Sequence, residues 1–424
     1  MYDQTFSKKS LERMFQKRDF IGIGTPHDQE IFRENILSLA VDSANISFGK
    51  SSNPLIKFRL GGKAVFKFCQ LSDELIARKL CENIKRSFKP TSAGRSQIVM
   101  NLRLLLEEGI PFRVYRLDIK SFYESFQPSY LLSAINNLPH LSPHSKTLMQ
   151  NLLSCHASLG GNGVPRGLSL SAPLSDLLMH DFDKRMQSNE DVFFYSRYVD
   201  DIIVITSVRE TSTIFVRDVK KLLPPGLSLN RHKRNIESAH KQVNPKKSSD
   251  LNDIPLFSFD YLGYAFLVRE PQKDSKINRS GDHYRSVAVD VAAKKVTRFK
   301  TRIARSFIDF SKTGNFGLLK DRIKFLTKNF SVYNAKAGGK KIAGIFHSYP
   351  LISNDANALK NLDYFLKNAV LSKSGRIFSQ SSLMLSARQK RELLAHSFVR
   401  GYAERQFVYF SGPRLKEIQA CWKN

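Results

Sequence analysis

The sequence predicts an α+β protein in which antiparallel strands carry the candidate functional residues and helices make up most of the remainder. Short apolar runs such as VYRLDI, FFYSRYV and IIVIT have the length and β-branched content of strands. The last two runs are spaced as a hairpin. Longer segments repeat their apolar residues with a period near 3.6, which is typical of helices. The 424 residues are enough for two or three domains.

These signals predict an order of elements along the chain. Polar helices extend to about residue 44, and PLIKFRLGGKAVFKF has the pattern of a hairpin around two glycines. Further helices are predicted at 73–88, at about 97–108, after Pro128, near 143–157, at 170–186 and at 211–223. FDYLGYAFLV is expected to be a strand pair, and the chain from Ala292 onward mostly helical. The polar segments 240–255 and 271–283 are expected to be mobile.

Composition excludes several classes of protein. No apolar stretch approaches the ~20 residues of a membrane span. The N-terminal residues lack an apolar signal core, so we expect a cytoplasmic protein. The cysteines are scattered without a CxxC pair, which predicts free thiols rather than disulfides or a zinc site. They are Cys69, Cys81, Cys155 and Cys421.

Net charge is the strongest bulk signal. The chain carries 67 basic and 38 acidic residues, a net charge of +29. From residue 285 to the end there are 27 basic and 8 acidic residues, so about two thirds of the excess lies in the last third. A positive field of this size attracts polyanions, above all nucleic acid. A charged surface that serves only solubility is the alternative.

Carboxylates at the ends of two predicted strands indicate chemistry. Asp200 and Asp201 lie side by side in YSRYVDDIIVI, and Asp118 ends the apolar strand of FRVYRLDIKSFYESF. Buried adjacent carboxylates need a compensating charge. Hard oxygen ligands suit Mg²⁺, and three carboxylates can hold two such ions for displacement at phosphorus. A solvated turn is the alternative for a DD pair alone, and the second carboxylate strand argues against it.

The ordered motifs resemble those of reverse transcriptases. RLDIKSFYESF, GVPRGLSLSAPLSDLLM and YVDD are similar to palm motifs A, B and C, GLSLNRHKRNIE to motif D and FDYLGY to motif E, the primer grip. The resemblance covers about residues 55–310. It implies a right-hand polymerase, with N-terminal helices and fingers at 1–110, a palm at 111–270 and a basic helical thumb and C-terminal extension at 271–424. A fingers insertion is expected at about 127–160.

The resemblance also implies roles for individual residues. Asp118, Asp200 and Asp201 would be catalytic and hold two Mg²⁺ ions, with Mn²⁺ as a substitute and the carbonyl of Ile119 as a further ligand. Tyr123 occupies the sugar-gate position, with plain core packing as its alternative. Arg166 replaces the glutamine that many relatives carry. The expected nucleotide-binding residues are Tyr123, Arg78, Arg95, Arg166, Gly167 and the motif D lysine, Lys233, with Lys63 and Lys67 as further candidates for triphosphate contact.

A basic helix is expected to follow the palm. In AAKKVTRFKTRIARSF one helical face is apolar and another carries cations, so one face would dock and the other bind phosphates. By the resemblance this helix is the thumb. The expected nucleic-acid-binding residues are Lys294, Lys295, Arg298, Arg302, Arg305 and, in the primer grip, Tyr261 and Gly263. The remaining C-terminal part would bind either structured RNA or protein.

Together these features predict an RNA-directed DNA polymerase. The phrases VYRLDIKSFYESF and PRGLSLSA are most similar to bacterial defence-associated reverse transcriptases, in particular the first subunit of the type 3 antiviral system. That resemblance implies dNTPs, a DNA primer and product, a structured noncoding RNA as template and a second reverse transcriptase subunit, without a membrane. The alternatives are a retron-like reverse transcriptase, an RNA-dependent RNA polymerase, which YVDD and Tyr123 disfavour, and a catalytically silent palm that only binds RNA or a partner.

Overall fold

The computed structural model describes residues 2–48, 53–88, 93–239, 255–269, 285–334, 339–354 and 356–423. The segments predicted to be mobile, 240–255 and 271–283, lie outside these residues apart from residue 255. In the described part of the chain, no helix has the length and apolarity needed to cross a membrane.

The described residues form helices throughout the chain. Their bounds are α1 Lys8–Glu12, α2 Pro26–Asn45, α3 Leu71–Ser87, α4 Arg95–Leu106, α5 Phe122–Ser125, α6 Pro128–Asn136, α7 Pro143–Ser158, α8 Ser171–Gln187, α9 Ser212–Leu222, α10 Ala293–Thr313, α11 Phe316–Thr327, α12 Ile345–Ser348, α13 Ala358–Leu371, α14 Phe378–Met384, α15 Ala387–Leu394, α16 Phe398–Ala403 and α17 Gly412–Ala420. Short 3₁₀ turns occupy Lys17–Phe20 and Arg231–Lys233.

Strands alternate with these helices. Their bounds are β1 Leu55–Leu60, β2 Lys63–Phe68, β3 Phe112–Asp118, β4 Val192–Tyr198, β5 Asp201–Thr206, β6 Asn235–Ala239, β7 Phe257–Tyr261, β8 Tyr264–Arg269, β9 Ser286–Val291, β10 Asn329–Asn334, β11 Gly339–Gly344 and β12 Phe407–Val408. Every strand pair is antiparallel except β10 with β12. The predicted mixed fold with antiparallel sheets is therefore confirmed.

The first of two compact units contains residues 1–94 and 111–240. Its sheet has the strand order β4-β5-β3-β6, beside the separate hairpin β1-β2. The sequence of β5, DIIVIT, is buried from Ile202 to Thr206, as expected of a central β-branched strand. The helices α3, α7 and α8 contribute apolar residues to the same core as β3 and β5. Their packing leaves the turn between β4 and β5 at one end of the sheet.

The second unit contains residues 95–110 and 241–424. It includes the antiparallel sheet β7-β8-β9 and the long helix α10, whose Ile303, Phe307 and Phe310 are buried. It also contains the sheet β11-β10-β12, which the prediction of a mostly helical C-terminal part did not include. A short cluster of Phe330, Phe410 and Ile418 forms a core between this sheet and α17. Nonlocal strand pairing of this kind leaves little local signal in the sequence.

Candidate active site

The register of the central sheet brings the predicted carboxylates together. The strands β3 and β5 pair so that Asp118 lies opposite Asp201. One residue further, the backbone N–H of Ile119 donates to the carbonyl of Asp200, at 3.0 Å. Asp118 is buried, whereas Asp200 and Asp201 are partly exposed. The three aspartates therefore occupy one end of the sheet, as the sequence predicted for two carboxylate strands.

A strained turn holds Asp200. Because Tyr198 pairs with Asp201, only Val199 and Asp200 form the loop of the β4–β5 hairpin. Val199 has φ 61°, a left-handed conformation that is unfavourable for a β-branched residue. Turns with positive φ at the first loop residue normally place glycine there. Such strain costs about 1–3 kcal/mol and persists only where surrounding contacts enforce it.

A buried arginine enforces this turn. The Arg197 guanidinium donates from Nη1 to the carbonyl of Val199 at 3.1 Å. The same group binds Asp183 of α8 through two bonds of 2.9 and 2.7 Å, and Asp176 at 3.3 Å. Only 2% of the Arg197 side chain is exposed. The hydroxyl of Tyr195 also donates to Asp183. Helix α8 is thus connected through one guanidinium to the turn that presents Asp200.

The charge of Asp118 is compensated from the segment before β6. The Lys233 ammonium lies 2.8 Å from Asp118 Oδ1. The side chain of Asn230 donates to Asp118 Oδ2 at 3.2 Å, and its backbone N–H to the Asp118 carbonyl at 2.7 Å. The hydrogen bond to Asp118 raises the pKa of Lys233. The Lys233 ammonium therefore compensates the negative charge of the buried Asp118 carboxylate.

The remaining carboxylates repel one another. Burial raises the pKa of Asp201, and the neighbouring charge of Asp200 raises it further. The partly buried Arg116 opposes this effect. A carboxylate whose charged form is destabilised by burial and by a like charge is stabilised when a cation binds beside it. The side chains therefore favour an added positive charge beside Asp200 and Asp201.

The aspartate cluster fits a divalent metal by its donor chemistry. Carboxylate oxygens are the preferred ligands of hard cations such as Mg²⁺. Among the residues that the structure describes, no group of three or more His, Cys, Asp or Glu side chains is arranged as a ready metal site. At Asp118, Lys233 and Asn230 donate to both carboxylate oxygens.

Three of the predicted nucleotide-binding residues, Tyr123, Arg166 and Gly167, form a second group in the first unit. Arg166 binds Glu124 through two hydrogen bonds, and its guanidinium carbon lies 4.9 Å from the centre of the Tyr123 ring. Burial raises the pKa of Tyr123. Gly167 has φ 104°, and a Cβ atom there would lie 2.7 Å from the carbonyl oxygen of Phe66. Only glycine fits at that position without a shift in the backbone.

The two arginines predicted to contact the triphosphate, Arg78 and Arg95, bind other groups of the protein. Arg78 is buried, and its guanidinium donates to Asp19 at 2.6 and 3.0 Å and to Glu74 at 2.6 Å. Arg95 lies in the second unit, where it donates to the carbonyls of Leu262 and Ser348, both at 2.8 Å. Since these donors already have partners, the geometry favours structural roles. Their contact with a triphosphate stays a prediction.

The predicted nucleic-acid-binding residues belong to the second unit. Burial and the charge of Arg298 lower the pKa values of Lys295 and Arg302 on α10. The β7–β8 hairpin turns at Leu262 and Gly263, which both have positive φ. A Cβ atom at Gly263 would lie 3.3 Å from Lys295 Cε, so the turn reaches the base of α10. A row of like charges beside a tight turn suits a phosphate backbone.

Comparison with known proteins gives one family match. Residues 96–266 match the family model described as reverse transcriptase (RNA-dependent DNA polymerase). The match covers less than half of the chain and includes β3 and β5, which carry the aspartates. It supports assignment of this segment to a nucleotidyltransferase domain of the RNA-directed DNA polymerase type. No curated protein matches the chain.

Among solved structures, a similar one is apo telomerase from Candida tropicalis truncated from its C-terminal domain. The identity is 17% and the TM-score 0.30. The similarity covers 46% of this chain and 43% of the telomerase chain. The chain thus matches less than half the length of that protein.

Three residues of the site were missed by the sequence analysis. Arg197 and Asn230 support the aspartates, and Glu124 binds Arg166. Arg197 could have been suspected, because an arginine within an apolar strand needs a buried acid. The other two are ordinary polar residues in loops or short helices. Their partners are distant in sequence, by 112 residues for Asn230 and 42 for Glu124, so only the fold shows them.

Proposed function

We propose that the chain is an RNA-directed DNA polymerase that synthesises DNA from dNTPs on an RNA template. The observation that carries this proposal is the strand register that puts Asp118 opposite Asp201, beside the strained turn of Asp200. The family match over residues 96–266 supports it.

In this proposal Asp118, Asp200 and Asp201, with the carbonyl of Ile119, hold two Mg²⁺ ions, for which Mn²⁺ can substitute. Such ions activate a primer 3′-hydroxyl and stabilise the leaving pyrophosphate. Lys233, whose Nζ lies beside Asp118, would donate a proton to the leaving pyrophosphate, as the motif resemblance implies. A lysine ammonium is already protonated near neutral pH, and the hydrogen bond to Asp118 raises the pKa of Lys233 further.

The remaining roles are those that the motif resemblance implies. The half-buried Tyr123 ring would exclude a 2′-hydroxyl, and Arg166 and Gly167 would line the nucleotide site. The cations of α10 would bind the template–primer backbone without reading its sequence, and the hairpin turn of Tyr261 and Gly263 would contact the primer. The cationic residues concerned are Lys294, Lys295, Arg298, Arg302 and Arg305.

We further infer a biological setting from the motif resemblance. The chain would act in the cytoplasm of a bacterium, in antiviral defence of the type 3 kind. A structured noncoding RNA would supply the template, and a second reverse transcriptase subunit would be its partner. This setting depends on the resemblance of VYRLDIKSFYESF and PRGLSLSA to the defence enzymes, and on the basic charge that suits RNA.

One observation favours the silent alternative, in which the chain only binds RNA. Asp118 is already paired with Lys233, so a scaffold without catalysis would be electrostatically satisfied. The test is a polymerisation assay on protein purified with its RNA retained. Labelled dNTPs and Mg²⁺ are added to the wild type, to Asp200→Ala and to an RNase-treated sample.

The proposal expects labelled DNA only from the wild type with its RNA, and the sequence of that DNA identifies the template. DNA from Asp200→Ala at the wild-type rate would contradict the assigned site. Retention of RNA without synthesis, also after addition of a second subunit, would leave the scaffold as the function.

A further inference from the structure

The backbone around Tyr123 is joined tightly to the loop that carries Arg166. The N–H of Val164 donates to the carbonyl of Tyr123 at 2.7 Å. At Gly163 an added Cβ atom would lie 2.3 Å from that same oxygen, so no side chain fits there. The N–H of Phe66 donates to the carbonyl of Arg166 at 2.8 Å, which ties the loop to hairpin β1–β2. These contacts fix the main chain on which Tyr123 and Arg166 stand.

The side chain of Arg166 is fixed separately by Glu124. Arg166 Nε donates to Glu124 Oε1 at 2.8 Å, and Nη2 to Oε2 at 3.1 Å. Two parallel charge-assisted bonds set the plane of a guanidinium as well as its position. Glu124 and Arg166 expose 34% and 25% of their side chains, so the pair is only partly screened by solvent.

This pair controls the surroundings of the Tyr123 ring. The guanidinium carbon of Arg166 lies 4.9 Å from the ring centre, within the range of a cation–π contact. Phe122 packs edge-on against the same ring at 5.2 Å. The ring is therefore held by a buried aromatic neighbour, by a hydrogen bond between its hydroxyl and Ser175, and by a cation that owes its position to Glu124.

We propose that Glu124 is a positioning residue for sugar selection: its ion pair holds Arg166 against Tyr123 and thereby fixes the ring that excludes ribonucleotides. The inference rests on the proposed function, in which Tyr123 lies beside the sugar of the incoming nucleotide. Glu124 itself does not contact the substrate. Neither its sequence position nor the family match assigns it this role.

Loss of the carboxylate has a definite physical consequence. A glutamine at position 124 is neutral and cannot make the charge-assisted pair. The charge of Asp200 also acts on Arg166, so a released guanidinium is drawn toward the metal-binding carboxylates. The ring then loses the cation that holds it. On the scale of a cation–π contact, discrimination against ribonucleotides is expected to fall about tenfold.

The test measures single-nucleotide incorporation by the full chain on an RNA template with a DNA primer. The ratio of kcat/KM for dGTP to kcat/KM for GTP is determined for the wild type, Glu124→Gln, Arg166→Met and the double variant. Glu34→Gln, which removes only the surface ion pair with Lys8, is the matched control. The two single variants and the double variant are each expected to show about a tenfold lower ratio, because the residues act as one unit. The control is expected to keep the wild-type ratio.

A second variant covers loss of folding. If Glu124→Gln unfolds, Arg166→Lys keeps the positive charge but loses the fork that pairs with Glu124, and a lowered ratio is again expected. A wild-type ratio in both Arg166→Lys and a folded Glu124→Gln overturns the inference and leaves the polymerase intact. A wild type that incorporates neither nucleotide overturns the proposed function, and the inference with it.

Discussion

The arginines near the aspartates of the first unit and the cations along helix α10 have opposite kinds of neighbours. In the first unit Arg197 lies against Asp183, and Arg166 against Glu124, so each guanidinium lies within hydrogen-bond distance of a carboxylate. On helix α10 the charges acting on Lys295 are those of other cations, Arg298 first among them. A cation paired with an acid fixes geometry. Cations placed beside one another repel each other, and the binding of an external anion reduces that repulsion.

The difference agrees with the distribution of charge along the chain. Residues 285–424 carry 27 basic and 8 acidic residues, so most cations of that part have no acid to match them. Surplus charge gives affinity and a fast encounter with polyanions, but little precision. Side-chain geometry is fixed more tightly where acids pair with the cations, as around the turn of Asp200. Five substitutions test this division, in order of expected effect.

The largest effect is expected at Asp118. Asp118→Asn keeps the side-chain volume but removes the charge opposite Asp201, so polymerisation should fall on the order of a thousandfold. Primer extension measures the loss. Asp218→Asn, which removes an exposed partner of Lys221, is the control and should keep full activity. Equal activity of the two variants would show that the carboxylate end of β3 is not the catalytic site.

The next largest effect is expected in the buried network around Arg197 in the first unit. Arg197→Met leaves Asp183 without its guanidinium and Val199 without its hydrogen bond, so the free energy of unfolding should fall by about 3–5 kcal/mol. Denaturant unfolding followed by circular dichroism gives the value. Arg217→Met on α9, where the arginine is 62% exposed, should change it by less than about 0.5 kcal/mol. Similar small changes in both variants would refute the structural role of Arg197.

A smaller effect is expected at Lys233. Replacing Lys233 by methionine removes the proton donor, and the rate should fall about a hundredfold. Single-turnover rates with pre-bound primer–template measure this step without interference from product release. Arg231→Met in the same 3₁₀ turn is the control. A rate loss in the Arg231 variant alone would assign the motif D function to a different cation.

The smallest effect per residue is expected on α10. Arg298→Gln and Arg302→Gln should each weaken binding of primer–template about equally for all sequences and lower the salt slope by nearly one counterion. Fluorescence anisotropy between low and moderate salt measures both quantities. Lys221→Gln on α9 should leave the slope unchanged. If the Arg298 and Arg302 variants also keep the wild-type slope, the α10 cations are not the nucleic-acid contact.

Much of the sheet end that carries the aspartates was predictable, because its signals lie in short stretches of sequence. The β-branched run after Asp201 predicts a buried strand, and two such strands with terminal carboxylates predict a shared edge. The turn conformation was not predictable, because valine gives no signal for φ 61° and the contact with Arg197 that supports it forms only in the folded chain. Motif D offered several cations, and of these Lys233 lies 2.8 Å from Asp118 in the fold, which the sequence could not show.

Arg78 has partners in the fold that the sequence analysis did not anticipate. An arginine in a fingers helix suggests a phosphate contact, since its chemistry suits either a phosphate or a carboxylate. Its acid, Asp19, lies 59 residues away, and no local pattern connects them. The sheet β11-β10-β12 was missed for the same reason, because a two-residue strand at Phe407–Val408 has no periodicity to detect. Both the Arg78–Asp19 pair and this sheet depend on pairings that form only in the folded chain.

The pairing of Lys233 with Asp118 also bears on how the site is loaded. In many metalloproteins the ion's binding energy is part of the folding energy, and removal of the ion unfolds the site. Here the most buried of the three aspartates already has an ammonium and an amide as neighbours, within 2.8 and 3.2 Å. Divalent ions would therefore enter by exchange with a resident cation instead of filling an empty space. Chelation should silence such a protein while leaving its thermal unfolding almost unchanged, so that activity and stability become separable properties of one carboxylate.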